Sequence, residues 1–228
     1  MYRTQMDIHL KKCAWGYLNT NMFMLQTGNN ILVIDPVSDL SMLKSCCFAD
    51  SVTVLLTHEH FDHITGLNEL RSMVCCRVIA SEVCSERIQN ARTNMSAYAD
   101  VLAELAGKPL KETIEPFVCS QADVVFKDEF SFDWMDYRVK VIATPGHSAG
   151  SSCILINDML FVGDTILNNN LMTRFPGSNK KDYLEITVRK LKELIPVASK
   201  IFPGHGVVMS RDEALETIRK MDFMGRDY

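Results

Sequence analysis

The sequence predicts an α/β protein assembled from two halves of similar outline, and three observations carry that reading. Short apolar, β-branched runs alternate with segments whose apolar residues recur every three to four positions, the pattern of strands interleaved with helices. Residues 52–56 are apolar almost without interruption, as expected of a strand buried on both faces. Each half runs strands first and helix after, so one domain over 1–228, made of two sheet-plus-helix halves, is the natural arrangement. A hydrophobic content of 47% over 228 residues is enough to fill the core that such a fold needs.

Taken in order, residues 6–12 alternate in the sense of a strand. Residues 21–26 and 31–35 form two more, joined by the turn signal Thr27-Gly28-Asn29-Asn30. Pro36 ends the third run, and Asp35 before it reads as an orienting carboxylate rather than a ligand. Residues 38–47 predict a short helix and 52–56 the buried strand. From Asp62 the recurrence of Ile64, Leu67, Leu70 and Val74 predicts a helix whose first turn holds Asp62 and His63, with Gly66 allowing close packing on the sheet. Residues 77–80 form a strand. Helices over 81–91 and 94–106, with Ser81 and Asn94 as N-caps and Gly107-Lys108-Pro109 as a stop, make an 81–110 cap beside the site, with Tyr98 a candidate wall residue. The second half reads as strands over 130–134, 137–143, 152–156 and 159–162, a polar loop over 168–178, a helix over 181–195, a strand over 200–202 and a helix over 211–223.

The formal charge is −4 with acids and bases interspersed, so no basic footprint points to nucleic acid. The N-terminus lacks the apolar core of a signal peptide and no apolar run is long enough to span a bilayer, so a cytoplasmic protein without membrane association is expected. The eight cysteines include two adjacent pairs and no C-x-x-C, which favours reduced, mostly buried thiols over a disulfide framework. The thirteen methionines read as core filler.

Chemistry concentrates in Thr57-His58-Glu59-His60-Phe61-Asp62-His63, directly after the buried strand. Imidazole nitrogen and carboxylate oxygen are the donors that zinc and similar metals take. Five of the six histidines, His58, His60, His63, His147 and His205, lie at ends of predicted strands, and Asp164 follows another; only His9 stands apart. Histidines scattered for packing would not gather so. The count suggests two ions. His58, His60 and His147 supply three donors, Asp62, His63 and His205 three more, and Asp164 can bridge ions about 3.5–4 Å apart. Two dications contribute +4 and two aspartates with one hydroxide −3, leaving a site at +1 that favours an anionic small-molecule substrate or a developing oxyanion. Zinc is the expected metal, with iron or manganese as alternatives; homo-oligomerisation is left open.

The segments Thr57–His63, Thr144-Pro145-Gly146-His147-Ser148-Ala149-Gly150, Phe161-Val162-Gly163-Asp164-Thr165 and Phe202-Pro203-Gly204-His205-Gly206 together resemble the metallo-β-lactamase superfamily of metal-dependent hydrolases, in the order of its glyoxalase II-like branch. The resemblance implies an αββα four-layer sandwich, two mixed sheets with helices on the outer faces. It implies one metal on His58, His60 and His147, a second on Asp62, His63 and His205, and Asp164 shared. The activity implied is hydrolysis of a thioester, ester or lactone-type bond by a bimetal-bound hydroxide, with Asp62 and Asp164 as the catalytic carboxylates. Asp164 argues against β-lactam hydrolysis, because the true lactamase branches usually lack a bridging Asp. The Gly-Arg-Thr-Asp stretch of many relatives is absent from Leu171–Gly177, where Arg174 is a candidate substrate anchor. The competing reading is a mononuclear iron persulfide dioxygenase using His58, His147 and Asp164; a nuclease and a non-catalytic metal-binding protein rank below it. Glu59, tempting as a general base, sits where the middle side chain of His-x-His turns away from the metal, and reads as supporting.

Overall fold

A computed structural model describes residues 7–16, 18–105, 113–167 and 177–224. Twelve strands among them form two six-stranded sheets. β1 (His9–Trp15), β2 (Thr20–Thr27), β3 (Asn30–Ile34), β4 (Ser51–Leu55), β5 (Arg77–Ser81) and β6 (Val124–Phe126) lie side by side in that order. β7 (Glu129–Trp134), β8 (Tyr137–Ala143), β9 (Ser152–Ile156), β10 (Met159–Gly163), β11 (Lys200–Pro203) and β12 (Met209–Ser210) make the second sheet, also in sequence order. Both are mixed. β3 through β6 run parallel and β1–β2–β3 antiparallel. In the second sheet only β10 and β11 are parallel.

The alternation of side chains across each strand builds three separate cores. On β2 to β4, Phe23, Leu25, Leu32, Ile34 and Leu55 face inward and meet Val139, Val141, Ile154, Ile156, Phe161 and Phe202 of the second sheet. The intervening residues Met22, Met24, Ile31, Val33, Val52 and Val54 face outward. They are covered by Leu43 of α1 (Leu40–Ser45), Leu67 and Leu70 of α2 (Leu67–Met73), and Cys84 of α3 (Glu82–Arg87). On the far side Ile142, Cys153, Leu160, Val162 and Ile201 pack beneath the last two helical elements. One is a continuous helix formed by α5 (Lys180–Asp182), a π-helical stretch over Tyr183–Thr187 and α6 (Val188–Leu194); the other is α7 (Arg211–Met224). The architecture is the αββα sandwich. The remaining helix, α4 (Ala99–Leu105), lies in the segment between β5 and β6.

Several local expectations need correction. The helix from Asp62 is two elements: a 3-10 turn over Phe61–His63, and α2 beginning only at Leu67 after Gly66. The apolar recurrence from Ile64 cannot reveal this break, because 3-10 and α spacing coincide over a single turn. Gly66 approaches the backbone carbonyl of Val37, not the sheet; a Cβ there would collide with that carbonyl. The helix expected over 94–106 begins instead with Met95 in left-handed conformation (φ 69°) and a 3-10 turn over Ser96–Tyr98. β6 and β12, short outermost strands of three and two residues, carry too little pattern to be read from sequence. The eight cysteines are free thiols. Gly107-Lys108-Pro109 and Arg174 lie outside the described residues. Among the described residues no helix is long and apolar enough to cross a membrane.

Candidate metal centre

All seven predicted donors converge at one edge of the sandwich, where loops leave β4, β8, β10 and β11. The loop after β4 carries His58 and His60, and its 3-10 turn aims Asp62 and His63. His147 follows β8, Asp164 follows β10 and His205 follows β11. Gly163, in left-handed conformation, lets the end of β10 approach the loop after β4 so closely that a Cβ would overlap the Thr57 side chain.

Two triads emerge. In the first, His60 Nδ1 lies 3.1 Å from His58 Nε2 and 3.0 Å from His147 Nε2. A tetrahedral ion with nitrogen ligands at 2.0–2.1 Å would separate them by about 3.3 Å, so the spacing suits a single ion. The tautomer of His58 follows from its neighbours. Thr57 Oγ1 donates to Asp35 Oδ2 at 2.6 Å, so the same hydroxyl accepts from His58 Nδ1 at 3.0 Å. That leaves the Nε2 lone pair of His58 facing the cluster. Burial, then the neighbouring His63, His60 and His147, hold His58 well below the ordinary imidazole pKa; burial, then His147, do the same for His60. His60 Nδ1 has one position to share between His58 Nε2 and His147 Nε2, so as an N–H it can satisfy only one of them fully, whereas a cation can take all three nitrogens as ligands.

In the second triad His205 Nε2 lies 3.4 Å from Asp62 Oδ2, and His63 Nε2 3.6 Å from the same oxygen. Each side chain is braced from behind. His63 Nδ1 donates to Asp35 Oδ2 at 2.9 Å, His205 Nδ1 to the Leu18 carbonyl at 3.0 Å, and Thr20 Oγ1 to Asp62 Oδ2 at 2.7 Å. Burial opposes charge on His63 and His205. On His63 it is outweighed by Asp62, Asp164 and Asp35, and on His205 chiefly by Asp164, so both pKa values rise. Asp164 stands between the triads. Its Oδ2 is 3.2 Å from His205 Nε2 and 3.6 Å from His147 Nε2, and its Oδ1 is 3.4 Å from His63 Nε2. Burial resists its ionisation, but His205 and His63 hold its pKa well below the carboxylate range. Two buried atoms here, His63 Nε2 and Asp164 Oδ1, have no hydrogen-bond partner. A buried imidazole nitrogen and carboxylate oxygen left so are what metal ligation requires.

The supporting residues act as the spacing suggested. Asp35, itself left-handed (φ 53°), accepts from Thr57 N, Thr57 Oγ1 and His63 Nδ1, so its oxygens are occupied in orienting others. Glu59 turns away from the cluster. Fully buried, it sets Oε1 2.6 Å from Arg87 Nε of α3 and accepts from Ser148 Oγ at 2.8 Å, tying the His58–His60 loop to the His147 loop. Burial raises the Glu59 pKa, with Arg87 opposing.

A cleft of about 230 Å³ opens onto His60, Asp62, His147, Asp164 and His205, and among the described residues its remaining walls are Leu18, Phe61, Met95, Leu102 and Leu167. The sequence signalled none of these apolar residues as site residues. Met95 and Leu102 come from the segment expected to form a cap, but Tyr98 does not line the cleft.

The family model described as the metallo-beta-lactamase superfamily matches residues 15–205. The chain is 24% identical over 172 residues to the "Probable polyketide biosynthesis zinc-dependent hydrolase BaeB" of Bacillus velezensis, covering 75% of this chain and 64% of that protein. It is 25% identical over 190 residues to a hydroxyacylglutathione hydrolase of Shewanella baltica, covering 81% of this chain and 60% of that one. It thus spans somewhat under two thirds of the length of both relatives. Among solved structures, the BLEG-1 B3 metallo-beta-lactamase superposes with a TM-score of 0.73 at 22% identity, over 91% of this chain and 97% of the other. That likeness concerns the fold.

Proposed function

The chain belongs to the metallo-beta-lactamase superfamily of metal-dependent hydrolases, and on that premise we propose that it is a binuclear hydrolase cleaving a thioester, ester or lactone-type bond. The observation that carries this reading is Asp164, whose two carboxylate oxygens face nitrogens of both triads at 3.2–3.6 Å. His58, His60 and His147 would hold one ion, Asp62, His63 and His205 the other, and Asp164 both, with zinc first among candidate metals.

Bound divalent ions at such a site supply Lewis-acid polarisation of a carbonyl and bring the pKa of water to about 7. The protein does the rest. Asp35, Thr57 and Thr20 fix the donor atoms before a substrate arrives, so no reorganisation is needed during reaction. The apolar walls of the cleft exclude bulk water from a scissile carbonyl set against the cluster. Asp62 borders both the second triad and the cleft, with its Oδ2 oriented by Thr20, and is placed to receive or orient the proton of the attacking water. Glu59, engaged with Arg87 and Ser148, takes no proton.

The test is a substrate panel on metal-loaded protein: thioesters, esters, lactones, phosphodiesters and persulfides. Hydrolysis of a carboxylic acid derivative, abolished by chelation, is the expected result. Oxygen consumption with a persulfide and one iron per chain, or cleavage of phosphodiesters alone, would contradict it.

A further inference from the structure

From the walls of the cleft we infer that the acyl part of the substrate is a short, uncharged, apolar chain, which lies on Leu18, Phe61, Met95, Leu102 and Leu167 while its carbonyl faces the metal donors. This rests on the hydrolase reading and specifies its substrate class.

The cleft has two chemically distinct sides. One consists of donor residues: His60, Asp62, His147, Asp164 and His205. The other, among the described residues, is entirely hydrocarbon and thioether. A carbonyl at the first side directs one substituent along the second. At about 230 Å³ the space lies below the range of clefts that enclose whole drug-sized ligands. It therefore suits one compact arm, with the leaving group directed out of the mouth.

The apolar side is built rather than incidental. Phe61 sits inside the metal-binding motif, buried between His60 and Asp62. Its backbone N–H donates to the Asn94 carbonyl at 2.7 Å. Asn94 is itself fully buried; its side-chain nitrogen donates to the Phe117 carbonyl at 2.8 Å and its side-chain oxygen accepts from Ser96 N at 2.8 Å. Between these anchors Met95 is held at φ 69°, a conformation that costs a non-glycine residue energy and persists where its surroundings impose it. The outcome is that Met95 lines the cleft beside Leu102. Met95 and Phe61 also share one small apolar cluster, with Leu18 and Leu102 packed against it, so the wall is rigidly tied to the metal-binding loop. A charged or heavily hydroxylated arm would lose its hydration there without finding a partner among these side chains.

The experiment has two arms, both on metal-loaded protein. The first is calorimetric binding of acetate, butyrate, hexanoate and succinate, whose carboxylate stands in for the reacting end. Each buried methylene should tighten binding about threefold to fourfold. Hexanoate should therefore bind at least tenfold more tightly than acetate, and succinate at least tenfold more weakly than butyrate. Leu102→Ala should flatten the chain-length dependence. Equal affinities across the series, or succinate binding as well as butyrate, would overturn the inference. The second arm is turnover of the matching N-acetylcysteamine thioesters. Turnover of none of them speaks against thioester hydrolysis, while the carboxylate series still decides the character of the cleft. Turnover combined with flat carboxylate binding keeps the hydrolase and removes the apolar-acyl specificity.

Discussion

His58, His60 and His147 meet the cluster with imidazole nitrogen alone, whereas Asp62, His63 and His205 bring a carboxylate with them. The difference reaches beyond ligand identity. Burial and the neighbouring imidazoles lower the pKa values of His58 and His60, so this triad presents uncharged rings whose nitrogens face one another at 3.0–3.1 Å. His63 and His205 have raised pKa values because Asp62 and Asp164 stand beside them, so this triad can neutralise itself with protons. A cation at the first triad would meet uncharged donors, whereas one at the second would have to displace protons. The bracing differs too. The first is held by buried Glu59 and Ser148 with half-buried Arg87, the second by Thr20 and the Leu18 carbonyl of the first sheet's β1–β2 region.

The largest expected effect comes from removing what the triads share. Asp164→Ala takes away both oxygens that face them, and turnover of whichever acyl substrate is cleaved should fall about 10³-fold in kcat/KM. A loss below tenfold would mean that Asp164 is not a common ligand.

Glu59→Ala attacks the first triad alone. It leaves the Arg87 charge partly buried without its partner, at a cost of about 3 kcal/mol, or roughly 6–12 °C in Tm for a chain of this size. Affinity at the first triad should fall about 10- to 100-fold while the second is unchanged. Glu59→Gln, which keeps an acceptor for Ser148, should recover part of both. Equal weakening of the two triads would show a general loosening of the fold instead.

Acidity should separate the triads without any substitution. In chelated protein, protons on His63 and His205 must leave before a cation binds. Metal affinity at the second triad should therefore drop as pH is lowered through their raised pKa values, by about tenfold per pH unit for each proton displaced. The depressed pKa values of His58 and His60 keep those donors available to lower pH. Competition with a chromophoric chelator at a series of pH values reads both affinities, and parallel pH dependences would refute the contrast. The smallest effect is expected from Thr20→Val, which removes one hydrogen bond to Asp62, worth about 1 kcal/mol. Second-triad affinity should weaken less than tenfold, and the first should not respond.

The two sides of the site also differ in how plainly the sequence announces them. The donors were legible because few residue types ligate metals, and because strand ends are where an α/β sheet presents loops; His58, His60, Asp62, His63, His147, Asp164 and His205 all reach one place. Asp35 and Glu59 could be read as supporting residues from their positions relative to the motif. The cleft walls could not. Leu18, Met95, Leu102 and Leu167 look in sequence like any core residues, and nothing in Asn94-Met95-Ser96 foretells a left-handed methionine. The strands of each sheet were largely readable from alternation, while β6, β12 and the break between the 3-10 turn and α2 were not, because segments of two or three residues carry no period.

A two-ion centre divided between two triads is tested by metal content per chain in the wild type and in the His60→Ala and His205→Ala variants, after loading and removal of free metal. Two ions are expected in the wild type and one in each variant. One ion per chain in the fully active wild type, or a His205→Ala protein with undiminished content, would contradict it.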